Sequence, residues 1–462
     1  MVNILVLLSS MSLFEFEHIN QLSKIIKGIY SISTGGVTQK NISRQTEEDG
    51  YGYRSVQRFF ALDINWELLY LSCVSYFFDT EDKKVYLLAI DEVVELKAGK
   101  STYGVGRFFS SIAGRPVASV CFHVLSLIEV NSRKSFVTKQ EQRFQEKSKK
   151  VKSSKKASKK ASKKKNDAKA KTASSKPKGR PKGSKDKKKT KTHTGLSLSF
   201  ERLLIAGLSL LSTIGIIPSY IVADGAYGSK TYLLICIEQN IALISKLRCT
   251  SALYLPVEQK KGKRGRGRAR KYGKRIHLDK LNKESPYFYK TIEDKEASNL
   301  IIDVYHLPKI WTKFLPVMVN VTVLIATNTQ TNKVSRKILF STDLALSADL
   351  IIEYYSLRFQ IEFNFRDAKQ YFGLADFRAY KATQVKNSVG LAFFMVNFSH
   401  IVRKKVTELW EVENLSILDV KAGYRTEKQV NRILKYLDLD IMAIKNQINL
   451  KDLAAFEAIN LN

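Results

Sequence analysis

A carboxylate surrounded by cations is the arrangement in this sequence best suited to chemistry on a phosphate. Glu362 lies in a helical stretch with Tyr355, Arg358, Arg366 and Lys369. At about 100° per residue, these five side chains fall on one face within about 80°. In such a setting the cations grip phosphate oxygens, the phenol hydrogen-bonds, and the carboxylate can hold a metal. The same spacing also fits a solvated helix face with ion pairs at i, i+4 and i+7. Leu357, Ile361, Phe365 and Ala368 make a separate apolar stripe suited to packing on a sheet.

Asp91 and Asp224 each stand at or near the end of an apolar strand-like run. A carboxylate there is costly to bury unless it is paired, hydrogen-bonded or bound to a metal. For either aspartate alone, a turn or cap role is the simpler reading. Three carboxylates from two strands and a helix are more specific, because divalent ions need several hard oxygen ligands from different elements.

These residues need elements to position them. Val85 to Leu96 and Pro116 to Val130 read as strands, and Ser199 to Leu211 as a helix. Tyr220 to Asp224 reads as a short buried strand ending in Gly225-Ala226-Tyr227-Gly228, followed by a helix (Lys230 to Glu238) and a strand (Ile241 to Leu247). That order suggests a mixed α/β core. Alternating Val, Ile, Thr and Tyr from 249 to 340 suggest a β-rich insertion, and one helix is expected from Ser347 to Tyr371. Residues 20 to 80 and the tail after Asn387 look helical. In the first of these, Ser43-Arg44-Gln45 and Tyr53 to Phe60 mix basic residues with an apolar stripe, which suits either a DNA-binding helical unit or an ordinary amphipathic helix.

The chain of 462 residues carries 77 Lys and Arg against 43 Asp and Glu, a formal charge of +34. This favours a polyanionic partner. Between Lys147 and Lys191 stand 22 Lys or Arg and two acids, Asp167 and Asp186, in a Lys-Ser-Ala sequence too poor in apolar side chains to build a core. It reads as a disordered arm. Within it, Pro177-Lys178-Gly179-Arg180-Pro181-Lys182 resembles an AT-hook, and Lys263 to Lys271 is a looser Gly-Arg run. Non-specific phosphate binding is the simpler reading of both, with Lys178 and Arg180 as candidate DNA contacts.

A membrane partner is disfavoured. The apolar run Met1 to Leu13 lacks a cationic flank and a small-residue cleavage site, and no stretch reaches about 18 uninterrupted apolar residues. Cys73, Cys121, Cys236 and Cys249 are scattered, as reduced core cysteines of an intracellular protein would be. The six histidines form no pair with metal-ligand spacing.

Tyr355-x-x-Arg358-x-x-x-Glu362 with Lys369 matches the Y-(2)-R-(3)-E-(6)-K signature of DDE transposases of the insertion-sequence-four family, found in bacterial insertion sequences. Asp224-Gly225-x-Tyr227 looks like that family's second-aspartate motif. Ile90-Asp91-Glu92-Val93-Val94, followed by Lys97 to Gly104, resembles its first. The similarity spans roughly residues 40 to 400.

The resemblance implies an α/β chain with an RNase H-like catalytic core, a β-rich insertion, and helical N-terminal and C-terminal regions. The parts expected are a DNA-binding region at 1–80, core at 81–138 and 194–248, and the arm at 139–193. The insertion at 249–340, a core segment with Glu362 at 341–400, and a tail at 401–462 complete them.

It further implies catalysis by Asp91, Asp224 and Glu362 with Mg²⁺, Mn²⁺ being able to substitute. DNA contacts by Tyr355, Arg358 and Lys369 follow, joined by Arg366 from the same helix face, as does a homodimer that synapses two double-stranded transposon ends before target joining. A cytoplasmic, nucleoid-associated setting goes with this. Two departures stand out: Glu92 follows the first aspartate, so either acid could serve there, and the basic arm interrupts the core. The rival expectations are a nuclease of the same fold without strand transfer and an architectural DNA-binding protein.

Overall fold

Leu87, Leu88, Ala89 and Ile90 have no exposed surface, which a strand achieves only when both faces of its sheet are covered. These residues lie in β1 (Tyr86–Leu96), at the centre of a mixed sheet. The computed structural model describes residues 1–11, 16–78, 84–110, 113–145, 195–257, 270–293 and 299–437. The basic arm, including Lys178 and Arg180, lies outside the described residues, as does most of the Lys263–Lys271 run.

β2 (Gly106–Ser110), β3 (Arg115–Glu129) and β4 (Lys134–Arg143) follow β1. β3 is antiparallel to β1 on one side and to β2 and β4 on the other. β5 (Tyr220–Ala223) and β6 (Ala242–Leu247) run parallel to β1 on its free side. β7 (Leu253–Tyr254), β8 (Arg275–Ile276), β9 (Phe288–Glu293), β10 (Leu300–Thr312), β11 (Val319–Asn328) and β12 (Val334–Ser341) come next. β12 pairs antiparallel with β6, and β11 and β10 continue outward from it. The segment expected as a β-rich insertion therefore extends the sheet that carries Asp91. The expected mixed α/β class holds.

Eleven helices are seen among the described residues. α1 (Ile4–Ser10), α2 (Ile19–Ser31), α3 (Gln39–Thr46), α4 (Tyr53–Ala61) and α5 (Trp66–Phe77) precede the sheet. α6 (Gly195–Ser212), α7 (Lys230–Glu238), α8 (Ala348–Leu357), α9 (Gln360–Tyr371), α10 (Ala382–Trp410) and α11 (Ile417–Tyr436) lie among or after its strands. Side-chain contacts assign the faces. Asn364 of α9 donates to Ser126 and Ser135, whereas Ser199 of α6 bonds His123, whose neighbours in β3 alternate in direction. Thus α9 covers one face and α6 the other. α6 has the length and apolar composition of a membrane span, although no uninterrupted apolar run was found in the sequence. Its Phe200, Leu203, Leu204 and Leu211 have no exposed surface, and it packs on β3 and β4.

α10 is held by polar groups as well as by apolar packing. The Asn387 side chain accepts from the Trp66 indole at 2.9 Å and donates to the carbonyls of Phe60 and Leu62 at 2.9 and 2.7 Å. Asn397 accepts from the Val137 N–H at 2.8 Å and donates to the Val137 carbonyl at 2.7 Å. β4 shifts register against β3 beside this point, and the Asn397 amide satisfies backbone groups that the ladder does not. Gly390 lies against the Trp66 indole, where a Cβ would clash.

Three of the four cysteines are buried as expected. Cys249 is exposed, because it falls in the turn that leaves β6 rather than in a packed element.

Candidate active site

Two aspartates meet where β1 and β5 run side by side. Leu87 pairs with Tyr220 and Ala89 with Val222, so strand alternation carries Asp91 and Asp224 to the same face, two residues further on. That face is the one α8 and α9 cover, as the Tyr220 and Tyr354 rings, 5.3 Å apart, indicate. Glu92 points the other way and pairs with Arg143 at 2.5 Å. The geometry thus separates two acids that are adjacent in sequence.

Glycines shape the turn after Asp224. A Cβ on Gly228 would come within 2.7 Å of the Lys246 carbonyl, so only glycine lets the chain pass this close to β6. Tyr227 is buried, and its hydroxyl bonds His123 at 3.1 Å. In this motif the tyrosine anchors the turn from the far side of the sheet.

Glu362 comes from the first turn of α9. The single helix expected from Ser347 to Tyr371 is in fact two. Between α8 and α9 the bonds Phe359 N–H to Ser356, Ile361 N–H to Arg358 and Glu362 N–H to Phe359 are all of the i to i+3 kind. The helix tightens to a 3₁₀ turn there, so an even 100° per residue does not hold across Arg358. The apolar stripe survives the change: Leu357, Ile361, Phe365 and Ala368 are all buried.

Arg358 is the hub of the site. Its Nη1 donates to Asp91 Oδ2 at 3.2 Å and its Nη2 to Glu362 Oε1 at 2.8 Å. Its Nε is buried without a hydrogen-bond partner. Asp224 pairs with Lys246 at 3.8 Å, and the Tyr355 phenol lies beside both Asp224 and Arg358. Burial raises the pKa of that phenol, and the charge of Asp224 adds to the effect.

The carboxylates feel one another. Burial pushes Asp91 up to about 6, with the charges of Glu362 and Asp224 adding to the rise, against the Glu92 N–H and the Arg358 guanidinium. Two of these acids bracket Arg358 and the third, Asp224, lies beside Lys246 and Tyr355; their donors are all hard oxygens, a set that suits Mg²⁺ or Mn²⁺ rather than zinc. Among the described residues, no three or more acids, histidines or cysteines are drawn close enough to hold an ion. Arg358 stands between Asp91 and Glu362.

The other residues singled out in the sequence are dispersed. The Lys369 ammonium forms an ion pair with Glu95 Oε1 at 2.6 Å, and Glu95 is buried on β1, four residues beyond Asp91. Arg366 is mostly exposed, bonds its neighbour Asp367 and sits 4.7 Å from the Phe363 ring. Lys246 was not picked out in the sequence, although a single charge in the strand Ala242–Leu247 was the available signal.

A family model described as DDE superfamily endonuclease matches residues 28–297, more than half of the chain. A second, described as Transposase DDE domain, matches residues 201–398. Asp91 falls in the first match, Asp224 in both and Glu362 in the second. No curated protein matches the chain. With a mixed sheet that brings two aspartates and a helical glutamate together, and a family match over most of its length, the chain belongs to the DDE superfamily endonucleases.

Proposed function

We propose that this protein is a DNA transposase of the insertion-sequence-four kind, which cleaves the ends of its element and joins them to target DNA. The observation that carries this is the approach of Asp224 and Glu362 to Asp91, with Arg358 bridging Asp91 and Glu362. The strand order β4-β3-β1-β5-β6, with only β3 antiparallel to β1, supports an RNase H-like core.

Asp91, Asp224 and Glu362 would hold divalent ions, Mg²⁺ foremost. When bound, such ions activate a water or a 3′-hydroxyl and stabilise the leaving oxygen. Arg358 neutralises Asp91 and Glu362, and its guanidinium would be available to a phosphate oxygen of DNA bound beside them. Tyr355 and Lys246 flank Asp224 and orient the DNA strand beside it. Lys369 fastens α9 to β1 through Glu95, which sets the spacing of Glu362 from Asp91. In this reading the exposed Arg366 meets the backbone further out, Lys178 and Arg180 contact DNA from the arm, and two copies synapse two ends.

The test is incubation of the purified protein with duplexes carrying the element's own ends, with and without Mg²⁺. Nicking at the end followed by joining to a target is expected. Cleavage without joining would make the protein a nuclease, and full cleavage in excess EDTA would remove the metal from the account.

A further inference from the structure

At the end of the sheet away from Asp224, three aromatic rings hold lysines at the surface. Tyr254 and Tyr272 have centroids 5.2 Å apart, and Tyr272 and Trp311 meet edge to face at 6.3 Å. The Lys271 ammonium sits 4.2 Å from the Trp311 centroid, and that of Lys313 is 5.5 Å from Tyr254. Cation–π contacts of this kind restrain an ammonium without neutralising it.

The surroundings are mostly basic, with Asp343 an acid lining the cleft beside Trp311. Arg270, Lys271, Lys274, Arg275, Lys309 and Lys313 are all exposed, and the stretches 270–278 and 307–314 contain no acid. Among the described residues none of the six is ion-paired. Two backbone features hold the surface in shape. A Cβ on Gly273 would meet the Pro256 carbonyl at 2.5 Å, so glycine allows the β7–β8 hairpin to close with Arg275 opposite Tyr254. A bulge between Leu307 and Ile310 places Lys309 at φ 54°, which turns its side chain outward.

Strand register locates the surface. Val222 is level with Ile244, Ser341 and Asn320, and Asp224 lies two residues beyond Val222 in one direction. Trp311 lies about as far in the other direction, four strands away. At about 3.3 Å per residue and about 4.8 Å per strand, the separation is about 20–25 Å. That equals roughly six or seven base pairs of duplex at about 3.4 Å each.

We propose that this aromatic-backed lysine surface grips the backbone of duplex DNA about six or seven base pairs from the scissile phosphate. The inference rests on DNA being the substrate, as proposed above. Rigidly held cations without acids between them match a phosphate backbone, and the rings, covered by lysines, are poorly placed to stack bases.

The test uses the full chain with Lys271→Gln, Arg275→Gln and Lys313→Gln combined, checked for a wild-type circular dichroism spectrum and melting temperature. Hydroxyl-radical footprinting on a duplex carrying the element's end should lose protection about six or seven base pairs from the cleavage point and keep it at that point. The slope of log affinity against log salt should fall by about 3. If the triple variant does not fold, Arg275→Gln alone carries the same test with a slope change of about 1. A footprint and slope equal to wild type would overturn the proposal. So would loss of oligo-dT binding alone with the duplex footprint intact. A wild-type protein that leaves no footprint at all would overturn it together with the DNA reading, whereas a footprint without cleavage would spare it.

Discussion

Two polar regions packed against the sheet are built on opposite terms. Along α10, each buried amide is fully matched: Asn397 makes both bonds to Val137, and Asn387 makes three to Trp66, Phe60 and Leu62. Around Arg358, two carboxylates share one guanidinium whose Nε has no partner, the charge of Asp224 adds to theirs, and Asp91 is pushed up to about 6. Satisfied groups stabilise a fold, whereas under-compensated charge raises its energy until a ligand supplies what is missing. The first region should govern stability and the second should govern activity.

The largest expected effect is on the second. Asp91→Asn or Asp224→Asn should lower end cleavage by at least about 10³-fold, the several kcal/mol that metal-assisted phosphoryl transfer contributes. Stability should not fall with it. A carboxyl whose folded pKa lies above its unfolded value contributes stability that is complete below the unfolded value and is lost as pH rises through about 6. At neutral pH, Asp91→Asn removes that cost, so its melting temperature should equal or exceed wild type. A marked drop would break the contrast between the two regions.

The converse substitution comes next in size. Asn397→Ala leaves the Val137 N–H and carbonyl without partners, at a cost of roughly 2–5 kcal/mol. Urea denaturation should show this loss, while cleavage per folded molecule stays near wild type. Equal stability of the variant and wild type would mean that water replaces the amide.

The smallest effect sharpens the comparison on the far side of the sheet. His123 has no exposed surface, and its ring nitrogens face Ser199 and Tyr227 at 3.0 and 3.1 Å. Burial, helped by Arg143, pushes its pKa down to about 3. A depressed imidazole contributes stability that is present above the unfolded value and is lost as pH falls toward the folded one. Between pH 7 and pH 5 that loss is about 2 kcal/mol, for an unfolded pKa of about 6.5. His123→Gln should flatten this part of the pH profile, and an unchanged profile would assign the dependence to other groups.

Much of this was legible in the sequence where the signal is local. β1, β5 and α7 follow from short apolar runs bounded by glycine or charge, and α7 spans Lys230–Glu238 as its pattern indicates. Long-range pairing was not legible. Nothing near residue 334 says that β12 will pair with β6, so residues 249–340 read as an insertion rather than as more of the same sheet. The 3₁₀ turn at Arg358 was hidden because Ser356 to Gln360 contains no helix breaker. The partner of Lys369 was hidden for a different reason: Glu95 lies 274 positions away, and only the packing of α9 on β1 brings them together.

The central claim, that these acids cleave DNA rather than hold the fold together, is tested most directly with Glu362→Gln. This change removes a negative charge but keeps size and hydrogen-bonding capacity, and the Glu362 carboxylate is partly exposed beside Arg358. The variant and wild type should be compared on one labelled transposon-end duplex, by gel shift without metal and by strand cleavage with Mg²⁺. The account predicts end binding equal to or tighter than wild type, since a charge that repels phosphate is gone, together with no detectable cleavage. Normal cleavage by Glu362→Gln would contradict it.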